Sequence, residues 1–247
     1  MYFHLKKIIF IPLAYSFFCL AGCQTNFSDA DLEREELVTN RSSMGAGELL
    51  QTDANRVATI AMRNNLHGLY ILLEKLYKRN PREWRKTSNS LENARKLVFD
   101  AIENDLSFPG LNNKKSIDAL YISMDPDFTG DRAGAFIYGL ATMIIIAHGD
   151  HTKFYISDVV NAQYIYNAAR NVEIAQWILM QRKDANNQPL LISNEISKKG
   201  YNLTFAIELA KISGRLDLVS EMLDERFRRV GTNYVHNLLF LTFLPVQ

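Results

Sequence analysis

From Asp53 onward, apolar residues recur three and four positions apart along nearly the whole chain, the spacing that lines one face of an α-helix. Val57, Ile60, Ala61, Leu66, Leu69, Tyr70, Leu73, Leu76 and Tyr77 follow it until Asn80-Pro81. A proline disfavours helical geometry in the residue before it, so the helix is predicted to end there. Pro81 itself suits the first turn of a following helix, where an N–H would have no partner anyway. Leu91 to Leu106 repeats the spacing through Leu91, Ala94, Leu97, Val98, Ala101 and Ile102, and Phe108-Pro109-Gly110 breaks it. No two-residue hairpin signal flanked by alternating positions is found, so strands find little support. The pattern predicts an all-α fold: a single helical domain over residues 48–247, built of packed antiparallel helix pairs as a bundle or a short solenoid.

Asp131 to His148 holds the apolar stretch Ala133 to Ala147. Its fifteen residues would span about 22 Å as a helix, short of a hydrocarbon core of about 30 Å. A central helix near 131–148, buried on most sides, is therefore expected. Ala135 and Gly139, four apart, would let a neighbouring helix come close.

In the last third, Ala210, Gly214, Leu216, Leu218, Val219, Met222 and Leu223 are spaced in a way that resembles the helix–turn–helix part of an ankyrin repeat. The resemblance implies a tight turn at Gly214, with Leu218, Val219, Met222 and Leu223 packing. A fainter echo runs from Ala168 to Leu179. Val172 and Leu216 are 44 positions apart, against about 33 in that family, and the echo lacks the turn glycine. Stacked helix pairs are what the likeness implies.

The N-terminus follows a different rule. Lys6 and Lys7 stand in a stretch without acids, and Ile8 to Leu20 is apolar but for Pro12 and Ser16. Thirteen residues, about 20 Å as a helix, are the size of a secretory signal core, whereas a membrane span needs roughly 20 residues. Leu20-Ala21-Gly22-Cys23 follows and resembles the lipobox of bacterial lipoproteins. That resemblance implies a diacylglyceryl group on the Cys23 sulfur, cleavage before Cys23 and acylation of the new N-terminus, palmitate included, which anchors the chain on a membrane without spanning it. Gln24 takes the position where aspartate favours inner-membrane retention in Gram-negative members, so an outer-membrane site facing the periplasm is implied. The organisation expected is a signal peptide over 1–22, a lipidated N-terminus and flexible tether over 23–47, and the helical domain after it. Ser28 to Val38 within the tether reads as a short acidic helix.

Charge and cysteine count narrow the function classes. Without the two signal lysines, 26 basic residues face 27 acids, and such a balance is not that of a general nucleic-acid binder. Cys19 and Cys23 both fall in the export segment, so the mature domain has no disulfide, thiol nucleophile or cysteine metal ligand. A core drawn from 47% hydrophobic residues must hold it together.

Three clusters carry candidate chemistry. Asp125, Asp127, Thr129 and Gly130 begin like a calcium loop, but its twelfth position is Phe136 instead of glutamate. A helix start capped by Asp131 accounts for the same residues. His148, Asp150 and His151 bring together two imidazoles and a carboxylate, suited to zinc or general-base work. Gly149 between them equally suits a helix C-terminus. Lys75, Lys78, Arg79, Arg82, Arg85 and Lys86 surround Tyr77 and Trp84 with Glu83 the sole acid, a surface for anionic headgroups or an envelope polyanion, or else a solvated corner pinned by Trp84. No nucleophile elbow, phosphate loop or H-E-x-x-H is present. No catalytic, cofactor or metal residue is assigned, and Cys23 is the one site residue. The reading is a membrane-anchored envelope lipoprotein whose helical domain binds an envelope protein or anionic polymer. The alternative is a hydrolytic or metal-assisted envelope enzyme using His148, Asp150 and His151.

Overall fold

The structure, a computed structural model, describes residues 53–152, 161–197, 200–223, 243, 245 and 246. The expected signal peptide over 1–22, Cys23 and the expected tether over 23–47 lie outside the described residues. Among the described residues seven helices follow one another: α1 (Asp53–Arg79), α2 (Pro81–Trp84), α3 (Leu91–Glu103), α4 (Ser116–Ser123), α5 (Arg132–Ala147), α6 (Ala162–Gln181) and α7 (Thr204–Leu223). A hairpin of β1 (Glu195–Ser197) and β2 (Gly200–Asn202) precedes α7. The domain is all-α in its packing, as the periodicity predicts.

Local chemistry sets the boundaries. Asn80 interrupts α1, and Pro81 opens α2 at its first turn. Ser90 caps α3 by accepting the Asn93 N–H, and Asn161 caps α6 by accepting that of Gln163. Helix α3 stops at Glu103, short of the predicted Leu106. Asp105 adopts a left-handed φ of 54° and the Leu106 N–H returns to the Ala101 carbonyl, an αL ending that needs neither the proline nor the glycine downstream. Helix α4 was not expected, because eight residues give too few turns for a period to emerge from Ile117, Ala119, Leu120 and Ile122.

Helix α5 is the expected central helix. All its residues except Ile145 and Ile146 are buried, and α1, α3, α4 and α6 pack around it. Gly139 is needed at the α4 crossing: a Cβ there would lie 3.0 Å from the Leu120 backbone nitrogen. The neighbours run antiparallel in pairs. Ser116 N–H donates to Thr142 Oγ1 while Arg132 reaches the Ser123 carbonyl, so α4 descends as α5 rises. In the same way Arg95 meets Glu74 and Tyr70 meets Glu103 between α1 and α3. Ser220 meets Ala162 and Ser213 meets Ala169 between α6 and α7.

Two expectations are corrected. Helix α7 runs unbroken through Gly214, where no turn forms, and the echo at 168–179 lies inside the continuous α6. A single glycine costs a helix only about 1 kcal/mol, which flanking burial of Ile212, Ser213 and Leu216 outweighs. The hairpin also appears where the sequence offers strands little support, without changing the all-α fold. Its register, Glu195 with Asn202 and Ser197 with Gly200, leaves two residues between the strands, but it is held by tertiary contacts. Arg79 pairs with Glu195 at 3.1 Å, and Asn202 Oδ1 accepts the Thr204 N–H and hydroxyl at the start of α7.

Candidate interaction surface

The two ends of α5 carry the clusters that suggested metal chemistry, and each is used to close the helix. At its N-terminus Asp131 is fully buried, accepts the Gly134 N–H at 2.9 Å and receives the Tyr77 hydroxyl at 2.5 Å. Burial raises the Asp131 carboxyl above its ordinary range, while Gly134 and Tyr77 pull it back. Tyr77 stays a phenol, since burial and the neighbouring carboxylate both raise it. The preceding loop curls its carbonyls around a cation, but that cation is the chain's own. The Arg132 guanidinium donates to Ser123 and Asp125 at 2.5 and 2.7 Å, and to Phe128 at 2.9 Å. Asp125 is spent in a local turn, accepting the Asp127 N–H.

At the other end, Gly149 (φ 71°) donates to Ile146 and Asp150 to Ile145, the bond pattern of a Schellman cap. His148 is fully buried, its Nδ1 2.7 Å from the Ile144 carbonyl, and burial pulls its pKa down to about 4. Asp150 and His151 are exposed. The structure does not bring the three into one site: one imidazole is in the core and neutral, the other two groups are outside. Among the described residues no three of His, Cys, Asp or Glu gather as a metal-binding group.

The basic corner divides in two. Glu83 accepts the Arg132 backbone N–H at 2.8 Å, and Lys86 holds both Glu83 and the Gly130 carbonyl, so these residues fasten α2 to the start of α5. Trp84 packs half-buried against the core, as the pinned-corner alternative expects. Lys78 pairs with Glu74 and Arg79 with Glu195. Arg82 and Arg85 remain exposed with no carboxylate partner among the described residues, Arg85 lying 5.0 Å over the Trp84 ring.

A second surface went unrecognised in the sequence. Phe205, Leu209, Ile212, Leu216 and Val219 turn α7 toward the core, yet Ile207, Leu218 and Met222 are 52%, 53% and 44% exposed. With Ala210 and Gly214 between them, they form an apolar row about 22 Å long, with the exposed Lys211 and Glu221 set into the same face. Leu218 and Met222 therefore do not pack as the ankyrin likeness implies, whereas Val219 does. The reason is phase: a turn at Gly214 would have rotated 218 and 222 inward, and an unbroken helix keeps them in line with Ile207 and Gly214. Leu203 extends the stripe at the N-terminal end.

The described residues also line two open clefts. One, of about 360 Å³, lies among Lys115, Ser116, Asp118, Ile146 and Val246; the other, of about 440 Å³, lies among Asn93, Lys96, Leu97, Asp100 and Leu106. Ser116 has a left-handed φ of 55°, and among the described residues no histidine lines its cleft to serve as its base. No helix is long and apolar enough to cross a membrane among the described residues. Compared with protein-family models, curated proteins and solved structures, the chain matches none.

Proposed function

We propose that the protein is a cell-envelope lipoprotein, acylated at Cys23 and anchored on the outer membrane facing the periplasm, whose helical domain is a protein-interaction module. The observation that carries the binding role is the exposed stripe of Ile207, Leu218 and Met222 on α7. Large apolar side chains standing exposed in a row on a folded domain suit a place where another molecule sits, with Lys211 and Glu221 supplying polar contacts among them. Small residues at its middle, Ala210 and Gly214, suit the close approach of a partner helix, and apolar anchors along one helix face are the usual means of such docking. The anchor rests on the lipobox resemblance. An enzymatic role for His148, Asp150 and His151 gains no support from their separation between core and surface.

The test is site-specific crosslinking in intact cells. A photoreactive side chain at position 207 captures one recurrent partner, a second one at exposed Lys96 on α3 does not, and Leu218→Glu removes the adduct. Equal adducts at both positions would dismiss the stripe. Separately, Cys23→Ser releases the protein from membranes or leaves it unprocessed; a variant that still matures and fractionates with membranes refutes the anchor.

A further inference from the structure

We infer that the corner formed by α2 and the β-hairpin is a second contact surface, which lays the domain against an anionic phospholipid bilayer. The inference rests on the membrane-anchored reading above and names the surface the anchored domain would touch. Two observations meet at this corner. The first is charge: Lys78, Arg79 and Lys86 pair with Glu74, Glu195 and Glu83, Lys75 lies in the field of Glu74 and Lys86 in that of Asp131, whereas no carboxylate pairs with Arg82 or Arg85 among the described residues. Cations left over after every local pair is formed are the ones available to lipid phosphates.

The second is apolar exposure fixed beside that charge. The Asn80 side chain clamps the backbone of Ile192, its Nδ2 donating to the carbonyl at 2.9 Å and its Oδ1 accepting the N–H at 2.7 Å. Ile192 is thereby held at Asn80, two positions along the chain from Arg82, with its own side chain 48% exposed. An isoleucine standing in water and the half-buried Trp84, next to two unpaired arginines, suit the headgroup layer, where the apolar parts enter the acyl boundary and the guanidinium groups stay at the phosphates. Among the described residues the α7 row offers no such cations, since Lys211 pairs with Glu208 and Arg215 bonds Asn65.

Trp84 beside the unpaired arginines makes the test direct, because Trp177 is the only other tryptophan. The full-length lipidated protein carrying Trp177→Phe is reconstituted on phosphatidylcholine vesicles with or without phosphatidylglycerol, and Trp84 emission is read against lipids brominated near the headgroup. Quenching is expected with phosphatidylglycerol. Arg82→Gln with Arg85→Gln should weaken it at least tenfold, as should raised salt, while removing an exposed cation elsewhere by Lys96→Gln should leave it unchanged. Equal quenching on neutral vesicles, or none on either, overturns the inference. So does equal protection of Trp84 by soluble polyphosphate without lipid, which would give the corner to a polyanion. Sedimentation with the vesicles reports the anchor separately: protein that sediments without quenching refutes the corner alone, and protein that fails to sediment refutes the anchor.

Discussion

Helices α5 and α7 are both rich in apolar residues, and they end in opposite situations. α5 is enclosed on nearly every side by α1, α3, α4 and α6. α7 is flanked by α6 and α1 and has no third neighbour among the described elements packed to the same extent, so Ile207, Leu218 and Met222 face outward. Apolar content makes burial favourable, but the number of neighbours decides whether a given face is buried. In α5 the apolar surplus became a core; in α7 it became a surface.

The contrast is broken most directly by truncation. Leu140→Ala in α5 should cost about 3 kcal/mol, from lost transfer energy and the cavity left behind. Leu218→Ala in α7 should stay within about 0.5 kcal/mol of the parent. Urea unfolding of both variants reads the difference, and similar losses would mean that α7 is covered.

A smaller effect separates the two ends of α5 by pH. The folded chain keeps His148 neutral down to about pH 4, whereas the unfolded chain takes up a proton near 6.5. Unfolding therefore binds a proton in that window, and the stability held above pH 6.5 is lost as pH falls toward 4. Between pH 7 and 5 this group should remove about 2 kcal/mol, a loss that His148→Gln should abolish in paired unfolding curves. An identical pH slope in the two proteins would place His148 in water.

The smallest effect tests the continuity of α7. Gly214 is exposed and a Cβ there would meet nothing within 4 Å. Gly214→Ala should raise stability by about 0.5–1 kcal/mol, because alanine loses less backbone freedom in a helix. Destabilisation in thermal melts would restore the turn at that position.

The parts of the fold legible in the sequence are those written in short-range signals. Asn80-Pro81 ended one helix and opened the next, Asp131 and Gly149 marked both ends of α5, and Gly139 announced a close approach. The hairpin and α4 were not legible, for their contacts lie with Arg79 and Thr142, far off in the chain. Of the candidate surfaces, the corner was visible as a run of cations between 75 and 86. That Glu74, Glu83 and Glu195 would meet four of its six cations, leaving Arg82 and Arg85, could not be read locally, since Glu195 arrives from more than a hundred residues away. The α7 stripe was obscured by Gly214, whose propensity suggests a turn that packing overrides.

What the sequence determined by itself is the helical periodicity, the caps and the lipobox-like segment around Cys23, because each depends on residues within a few positions of one another. Only the tertiary structure decided which polar clusters were consumed and which apolar faces were left. Arg132 filled the loop that resembled a calcium site, and His148 went into the core while Asp150 and His151 stayed out. Those outcomes depend on which elements come to lie side by side. Burial, and with it the pairing of charges and the exposure of apolar faces, is set by neighbours that no local pattern specifies.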